Sequence, residues 1–364
     1  VTITLTMTEQ QRVAAIASSG TPGGDGTAAQ LDVAENAFQD VAVNTVNNSR
    51  NVILNETLDS IVPIVLNAEL NYSTGVLQIN SSETIDTTPI DLVDLTKIRL
   101  TNDTNDYINI DGATIFPYDG IVWSLQLTEL QRVTVLAQSS QPGGDNLAVT
   151  LDALQGAVQD IGQNRNPAAT NLFVKEFPDT ILPVILKAHI DYNNGTMKIN
   201  ASETIDATPS TLVLTNKLRL VNVTQGYGVN LSNAYVTPVD GTTFTVRLTE
   251  KQRSLAIAIS GTSGCDNNAV FLEVNEGAVS DIGTNPCNNF FSIEVVEIDD
   301  TTKPFVRFVK LNFSTGLMEI GMSETIDTTP TSLIFTELYS LLNTTSAGVN
   351  VTLIGADIRA VDET

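Results

Sequence analysis

The sequence predicts an all-β chain made of tandem β-sandwich repeats of about 120 residues, each with one short helical turn. Three observations predict it. The first is internal repetition. A T-E-x-Q-R block ends at Arg12, Arg132 and Arg253, and the same offsets of 120 and 121 residues relate Asp25, Asp145 and Asp266, then Pro63, Pro183 and Pro304. Self-similarity at a fixed period marks a stacked architecture. The second is period-two alternation, which marks half-buried strands. The third is that short apolar runs are separated by turn formers, about seven strands to each period, which is the pattern of a sandwich.

Taken in order, Val1, Ile3, Leu5 and Met7 alternate with threonines, and Ile121, Trp123, Leu125 and Leu127 repeat the pattern. Both segments read as strands. Thr8 with Gln11, Thr128 with Gln131 and Thr249 with Gln252 form T-x-x-Q capping boxes, so a short helix should follow; VTVLAQ and LAIAIS beyond it read as helical or extended. Pro22-Gly23-Gly24-Asp25 is a turn, and Leu31 begins another strand. Asn36, Gly156 and Gly277 share one position, which suggests a left-handed backbone there. Further strands are expected at Pro63–Leu70, Gly75–Ile79, Ile98–Thr101 and Ile108–Ile115.

Composition narrows the function. The net charge of −24 is wrong for nucleic acid, which needs a cationic surface, and for an anionic membrane. No apolar run is long enough to span a bilayer. With 42% apolar residues the chain can build cores, and two cysteines among abundant Asn and Thr fit an oxidising compartment. Cys265 and Cys287 are near enough in sequence for a local disulfide.

Catalysis is not expected. His189 is the only histidine and aligns with Glu69 and Lys310, a tolerant strand position; no nucleophile elbow or phosphate loop is present. Glu83 with Asp86 recurs as Glu203 with Asp206 and Glu324 with Asp327, and a pair present in every copy reads as a strand-to-turn motif rather than a glycosidic acid and base. Arg12 and its copies are expected to pair with a repeated carboxylate such as Glu9 or Asp25. The carboxylates Glu56 and Asp59, Glu176 and Asp179, Glu297 and Asp300, with Asp40, Asp160 and Asp281, gather where one period meets the next. Oxygen ligands there could hold Ca²⁺ and stiffen a joint; turn formation and Asx capping are the alternative. Twelve N-x-S/T sequons, at Asn47, Asn55, Asn71, Asn80, Asn102, Asn194, Asn200, Asn222, Asn230, Asn312, Asn343 and Asn350, point to N-linked glycans.

The blocks D-x-x-x-P, Y-x-x-G, SETID, LTExQR, PGGD and QDI, in the same order in each copy, resemble the immunoglobulin-like repeats of large surface, adhesion and fibre proteins. These include bacterial and algal flagellar-system-associated repeats and the filaments of flagellar hairs (mastigonemes). Copy three departs from the pattern, with Ser263-Gly264-Cys265-Asp266 in place of the PGGD turn. The resemblance implies domains that start near D-x-x-x-P and end after QDI. Residues 1–58 would then be a carboxyl-side half-domain, 59–177 and 178–299 complete Ig-like domains, and 300–364 an amino-side half-domain. Related repeats use acidic linkers to bind Ca²⁺. The expected function is an extracellular or cell-surface structural glycoprotein; either its terminal halves complete one another head-to-tail by β-strand complementation, or the residues are a section of a much longer chain, a third reading being a different phasing into three whole units. Expected partners are copies of itself and other cell-surface or filament proteins. The alternative is a carbohydrate- or cell-binding adhesion module, with Trp123, Tyr107, Tyr118 and Tyr227 as the candidate aromatic residues.

Overall fold

A computed structural model of the chain describes residues 2–102, 107–222, 228–263, 265, 268–342 and 350–358. The chain forms two compact units, Val1–Leu182 with Asp281–Asn285, and Pro183–Ser280 with Pro286–Thr364.

The first unit opens with helix α1 (Glu9–Ala17). The Thr8 hydroxyl accepts from the Gln11 amide at 3.3 Å and the Gln11 side chain accepts from the Thr8 amide at 2.9 Å, which satisfies two otherwise orphaned donors. Strands β1 (Gln30–Val33) and β2 (Ser49–Ile53) form a small hairpin-like pair. There follow β3 (Val65–Asn71), β4 (Val76–Ile85), β5 (Ile98–Thr101), β6 (Tyr107–Asn109), β7 (Thr114–Ile115), β8 (Gly120–Gln126), α2 (Glu129–Ala137), β9 (Thr150–Ala153) and β10 (Ala169–Phe177). These strands make one eight-stranded sheet in the order β6-β5-β9-β10-β3-β4-β8-β7. The first half of β10 pairs antiparallel with β9 and its second half, Val174–Phe177, pairs parallel with β3. The sheet therefore curls, and both arms feed a single apolar cluster that includes Leu77, Ile79, Trp123, Leu100 and Leu151. Each such fully buried side chain contributes about 1.5–3 kcal/mol relative to exposure.

The second unit repeats the plan with β11 (Ile185–Asp191), β12 (Thr196–Ile205), β13 (Leu218–Val221), β14 (Gly228–Asn230), β15 (Tyr235–Val236), β16 (Gly241–Arg247), α3 (Glu250–Ala258), β17 (Phe271–Val274) and β18 (Phe290–Ile298). Their order in the sheet, β14-β13-β17-β18-β11-β12-β16-β15, reproduces the first sheet strand for strand. Two separate pairs follow, β19 (Val306–Asn312) with β20 (Leu317–Met322) and β21 (Ser340–Leu342) with β22 (Asn350–Thr352).

The shared Asn36, Gly156 and Gly277 position is left-handed, with φ of 68°, 73° and 66°. VTVLAQ and LAIAIS resolve as helix through Ala137 and Ala258. Two expectations fail. The strand expected over Ile108–Ile115 is two short ones, β6 and β7, at opposite edges of the sheet. The alternating segment before Thr8 is not a strand over residues 2–8, whereas its copies β8 and β16 are. Those copies are held by ladders to β4 and β12; alternation shows which face a strand would bury, but a strand forms only with a partner edge.

Candidate functional site

Within the first unit, α1 meets the eight-stranded sheet that follows it through one guanidinium. Arg12 donates from Nε and Nη2 to the Glu9 carboxylate, both at 2.8 Å. Its Nη1 reaches Asp59 at 2.5 Å and its Nη2 reaches Glu83 at 2.8 Å. Glu9 in turn accepts from the Thr84 amide at 2.9 Å. Spacing along the chain had suggested Glu9 or Asp25; Glu9 is confirmed, and Asp59 and Glu83 are added from across the junction. The clamp recurs. Arg132 holds Glu129 and Asp179, and in the second unit Arg253 holds Glu250, Asp300 and Glu324.

Asp160 completes the acidic side of the first junction. Its loop is tied to β4 by the Asp86 amide donating to the Gln159 carbonyl at 2.9 Å. Asp59, Glu83 and Asp160 each present a carboxylate oxygen, and the three oxygens lie within 4.8 Å of one another. Glycine makes the approach possible, because a Cβ at Gly162 would sit 2.8 Å from Cβ of Asp59. The PGGD turn is fitted just as closely. Gly23 has φ of +87°, and a Cβ there would fall 1.7 Å from the Ile161 carbonyl oxygen.

Electrostatics follow burial. Hydrogen bonds from Arg12 pull the Glu9 carboxyl down to about 2. Burial pushes Glu83 upward, and the Asp160 charge adds to it. Asp160 and its sequence equivalent Asp40 make the same local bonds, to Asn164 and to Asn44. Yet those bonds hold exposed Asp40 below the ordinary carboxylate range, while burial raises Asp160 above it. The loop is the same; only the neighbour differs.

The nine carboxylates expected at the joints therefore separate into groups. Asp59 and Asp160 come together. Asp179 and Asp281 share the first unit, and the Asp179 charge is among the influences raising Asp281. Asp300 pairs with Arg253. Among the described residues, the Asp40 carboxylate accepts only from its own loop, from Ala42 and Asn44. Glu56, Glu176 and Glu297 are loop clamps instead: Glu56 accepts from the Gly20 and Ala29 amides, Glu176 from the Tyr72 hydroxyl and Ser140, and Glu297 from the Tyr192 hydroxyl and the Gly261 amide. Sequence reasoning missed Glu83 because it was read with Asp86 as a turn motif. The available signal was its constant separation of 71 residues from the repeated arginine, as also for Arg253 and Glu324.

Other expectations are corrected. The Cys265–Cys287 disulfide is not formed, and both thiols are free. Cys287 is buried in the second unit's core with its Sγ directed to the Asn275 carbonyl, whereas Cys265 turns to Ser260 and the Thr262 carbonyl in the loop after α3. Among the sequons, Asn47, Asn55, Asn194, Asn230, Asn312 and Asn350 are exposed and Asn71, Asn80 and Asn200 half-buried, while Asn343 lies outside the described residues. Asn102 and Asn222 are buried with their Nδ2 groups hydrogen-bonded to backbone carbonyls, which leaves no room for a glycan. Trp123 is a core residue, Arg99 covers the Tyr107 ring, Tyr118 is exposed, and Tyr227 lies outside the described residues. His189 is half-buried on β11.

A second surface feature lies before β3 and after β18. Among the described residues, no apolar side chain other than Pro63 is buried before Val65, and none is buried after Val295. Positions that form cores elsewhere are open there. Leu125 is fully buried and its equivalent Leu5 is 87% exposed; Tyr72 and Tyr192 are fully buried and their equivalent Phe313 is 89% exposed.

No family model matches the chain, and no curated protein matches it. Solved structures resemble it at low identity and low score. The N-terminal part of the bacterial S-layer protein SbsC is 10% identical with a TM-score of 0.20, over 52% of this chain and 44% of that one. The four N-terminal Ig domains of Dscam1 are 9% identical with a TM-score of 0.19, over 70% and 56%. Titin domains A168–A170 are 13% identical with a TM-score of 0.21, over 70% and 71%. The chain thus spans less than half of the S-layer structure, and at these scores the chains are not superposable as wholes. Among the described residues no helix is long and apolar enough to cross a membrane.

Proposed function

We propose that the chain is a structural stretch of an extracellular or cell-surface array of immunoglobulin-like repeats, and that its incomplete portions close by strand complementation against another copy. The reading divides the chain into a carboxyl-side half at 1–58, domains at 59–177 and 178–299, and an amino-side half at 300–364. One observation carries it. The segment that copies β8 has lost its ladder and exposes Leu5, while β20, which copies β4, pairs only with β19 among the described residues. Each portion has what the other lacks, and an unpaired edge beside an open apolar face is a template for association. The repeated arginine clamps support a mechanical role, since Arg12, Arg132 and Arg253 each hold carboxylates in the same way. A flagellar-hair or other cell-surface fibre is a setting that suits such an array.

Sedimentation velocity and negative-stain imaging test this. Purified chain should sediment as concentration-dependent species and give linear particles. Leu5→Asp, which changes an exposed residue, should leave the chain folded and abolish assembly. A monodisperse monomer across a hundredfold concentration range would overturn the proposal.

A further inference from the structure

The junction formed by α1 and the domain beginning at β3 carries more negative charge than its arginine can neutralise. Glu9, Asp59, Glu83 and Asp160 surround the single guanidinium of Arg12, a formal imbalance of three charges against one guanidinium already counted. Glu83 and Asp160 are buried, at 6% and 0% exposure. Arg12 takes only Oε2 of Glu83; the other oxygen, Oε1, is buried and has no hydrogen-bond partner. A buried carboxylate oxygen without a donor is costly. The groups beside it are further carboxylates, so the missing partner is one that oxygen ligands bind.

We propose that Asp59, Glu83 and Asp160 form a binding site for a hard divalent cation, with Ca²⁺ as the ion that fits best. Three oxygens no more than 4.8 Å apart share a centre about 2.8 Å or less from each, close to the 2.3–2.6 Å of Ca²⁺–oxygen bonds and reached by small side-chain movements. Mg²⁺ demands about 2.0–2.1 Å in strict octahedral geometry, a poorer match to three fixed protein oxygens. Arg12 engages one oxygen of Asp59 and one of Glu83, so each carboxylate bridges the guanidinium on one side and the ion on the other. The ligands come from the entry to β3, from β4, and from the loop between β9 and β10. The ion would lock the seat on which α1 rests. The site does not depend on assembly between copies. Its ligands differ from those the spacing suggested: Asp59 and Asp160 stay, Glu83 enters, and Asp40 and Glu56 leave.

The second unit supplies an internal comparison. There Asp300 and Glu324 flank Arg253, and Oε1 of Glu324 likewise lacks a hydrogen bond, but no third carboxylate joins them among the described residues.

The test is calorimetric titration of the full chain with CaCl₂ after chelation, alongside Glu83→Gln and Glu324→Gln. The expected result is binding in the micromolar to low-millimolar range, with Glu83→Gln removing one site or weakening it at least tenfold and Glu324→Gln leaving that site intact. Trp123 fluorescence confirms that Glu83→Gln is folded and circular dichroism that Glu324→Gln is, and Asp160→Asn provides a second variant should Glu83→Gln fail to fold. Absence of Ca²⁺ binding at 5 mM, or equal binding by parent and Glu83→Gln, would overturn the proposal. A chain stabilised by Glu83→Gln and indifferent to Ca²⁺ would also overturn it, and would show that a shared proton fills the place assigned to the ion.

Discussion

Arg132 is the most demanding place to test the junction chemistry. Its side chain is 7% exposed, and its partner Asp179 is fully buried, 2.5 Å from Nη1. The same nitrogen also donates to the Tyr72 carbonyl at 2.9 Å. Arg132→Met fills similar volume but leaves the Asp179 charge inside without its guanidinium. Breaking a buried pair by removing one partner costs about 3–5 kcal/mol. With a urea m-value of about 1.5 kcal/mol/M, the unfolding midpoint should fall by about 2–3 M. The chain has a single tryptophan, Trp123, buried on β8 with its Nε1 donating to Ser81 at 3.2 Å. Its fluorescence therefore reports the domain that contains α2 and no other. The double variant Arg132→Met with Asp179→Leu should recover most of the loss, because an apolar pair of similar size is often neutral in place of a buried ion pair. If Arg132→Met shifts the Trp123 midpoint by less than about 0.3 M, the clamp is not what holds this part of the chain and the reasoning fails.

Three further outcomes follow from the geometry. Gly143 has φ of +87°, and a Cβ there would lie 1.8 Å from the Ile282 carbonyl oxygen; Gly143→Ala should lower stability by more than the roughly 1–2 kcal/mol of left-handed strain alone, and a smaller loss in the Trp123 transition would mean that the turn is not seated there. Native alkylation should label Cys265 while sparing buried Cys287, and the intact mass should show both thiols reduced; a mass lower by two hydrogens would contradict the structure. Glu9 is held down to about 2 against an ordinary 4.5, so its contribution is fully present above the ordinary value and lost as pH falls through the depressed one. Glu83 and Asp160 are raised, and protonating them relieves rather than weakens the junction, so their effect runs the opposite way. The stability difference between parent and Glu9→Gln should therefore be constant above about pH 5 and vanish toward pH 2; a difference independent of pH down to 2 would remove Arg12 as the cause.

What was legible in the sequence is local. Thr8 and Gln11 specify their capping box from three residues' spacing, and the helix formed in every copy. The left-handed backbone at Asn36, Gly156 and Gly277 follows from which residues tolerate it. Strand β5 sits at the residues that alternation assigned, Ile98–Thr101. What was not legible depends on residues far along the chain. Arg12 and Glu83 are 71 residues apart, and although that spacing recurs with the repeat, it does not say that a helix residue and a strand residue touch. The side chains of Asp40 and Asp160 accept from Asn44 and Asn164 in the same way, yet one is exposed and the other fully buried.

That contrast bears on how the joint works. A carboxylate is made costly, and so able to seek a cation or a guanidinium, only when a second repeat covers it and removes its water. Asp40 has no such cover among the described residues and titrates as an acid stabilised by its own loop; Asp160 has the cover and does not. The cost of carrying charge at a junction thus arises from the act of joining. An array built from such units would hold its acidic groups harmlessly in solvent while apart and bring them under tension when stacked, which makes the repeated arginine a requirement of every joint and leaves room for an ion only where a third carboxylate is brought in beside it.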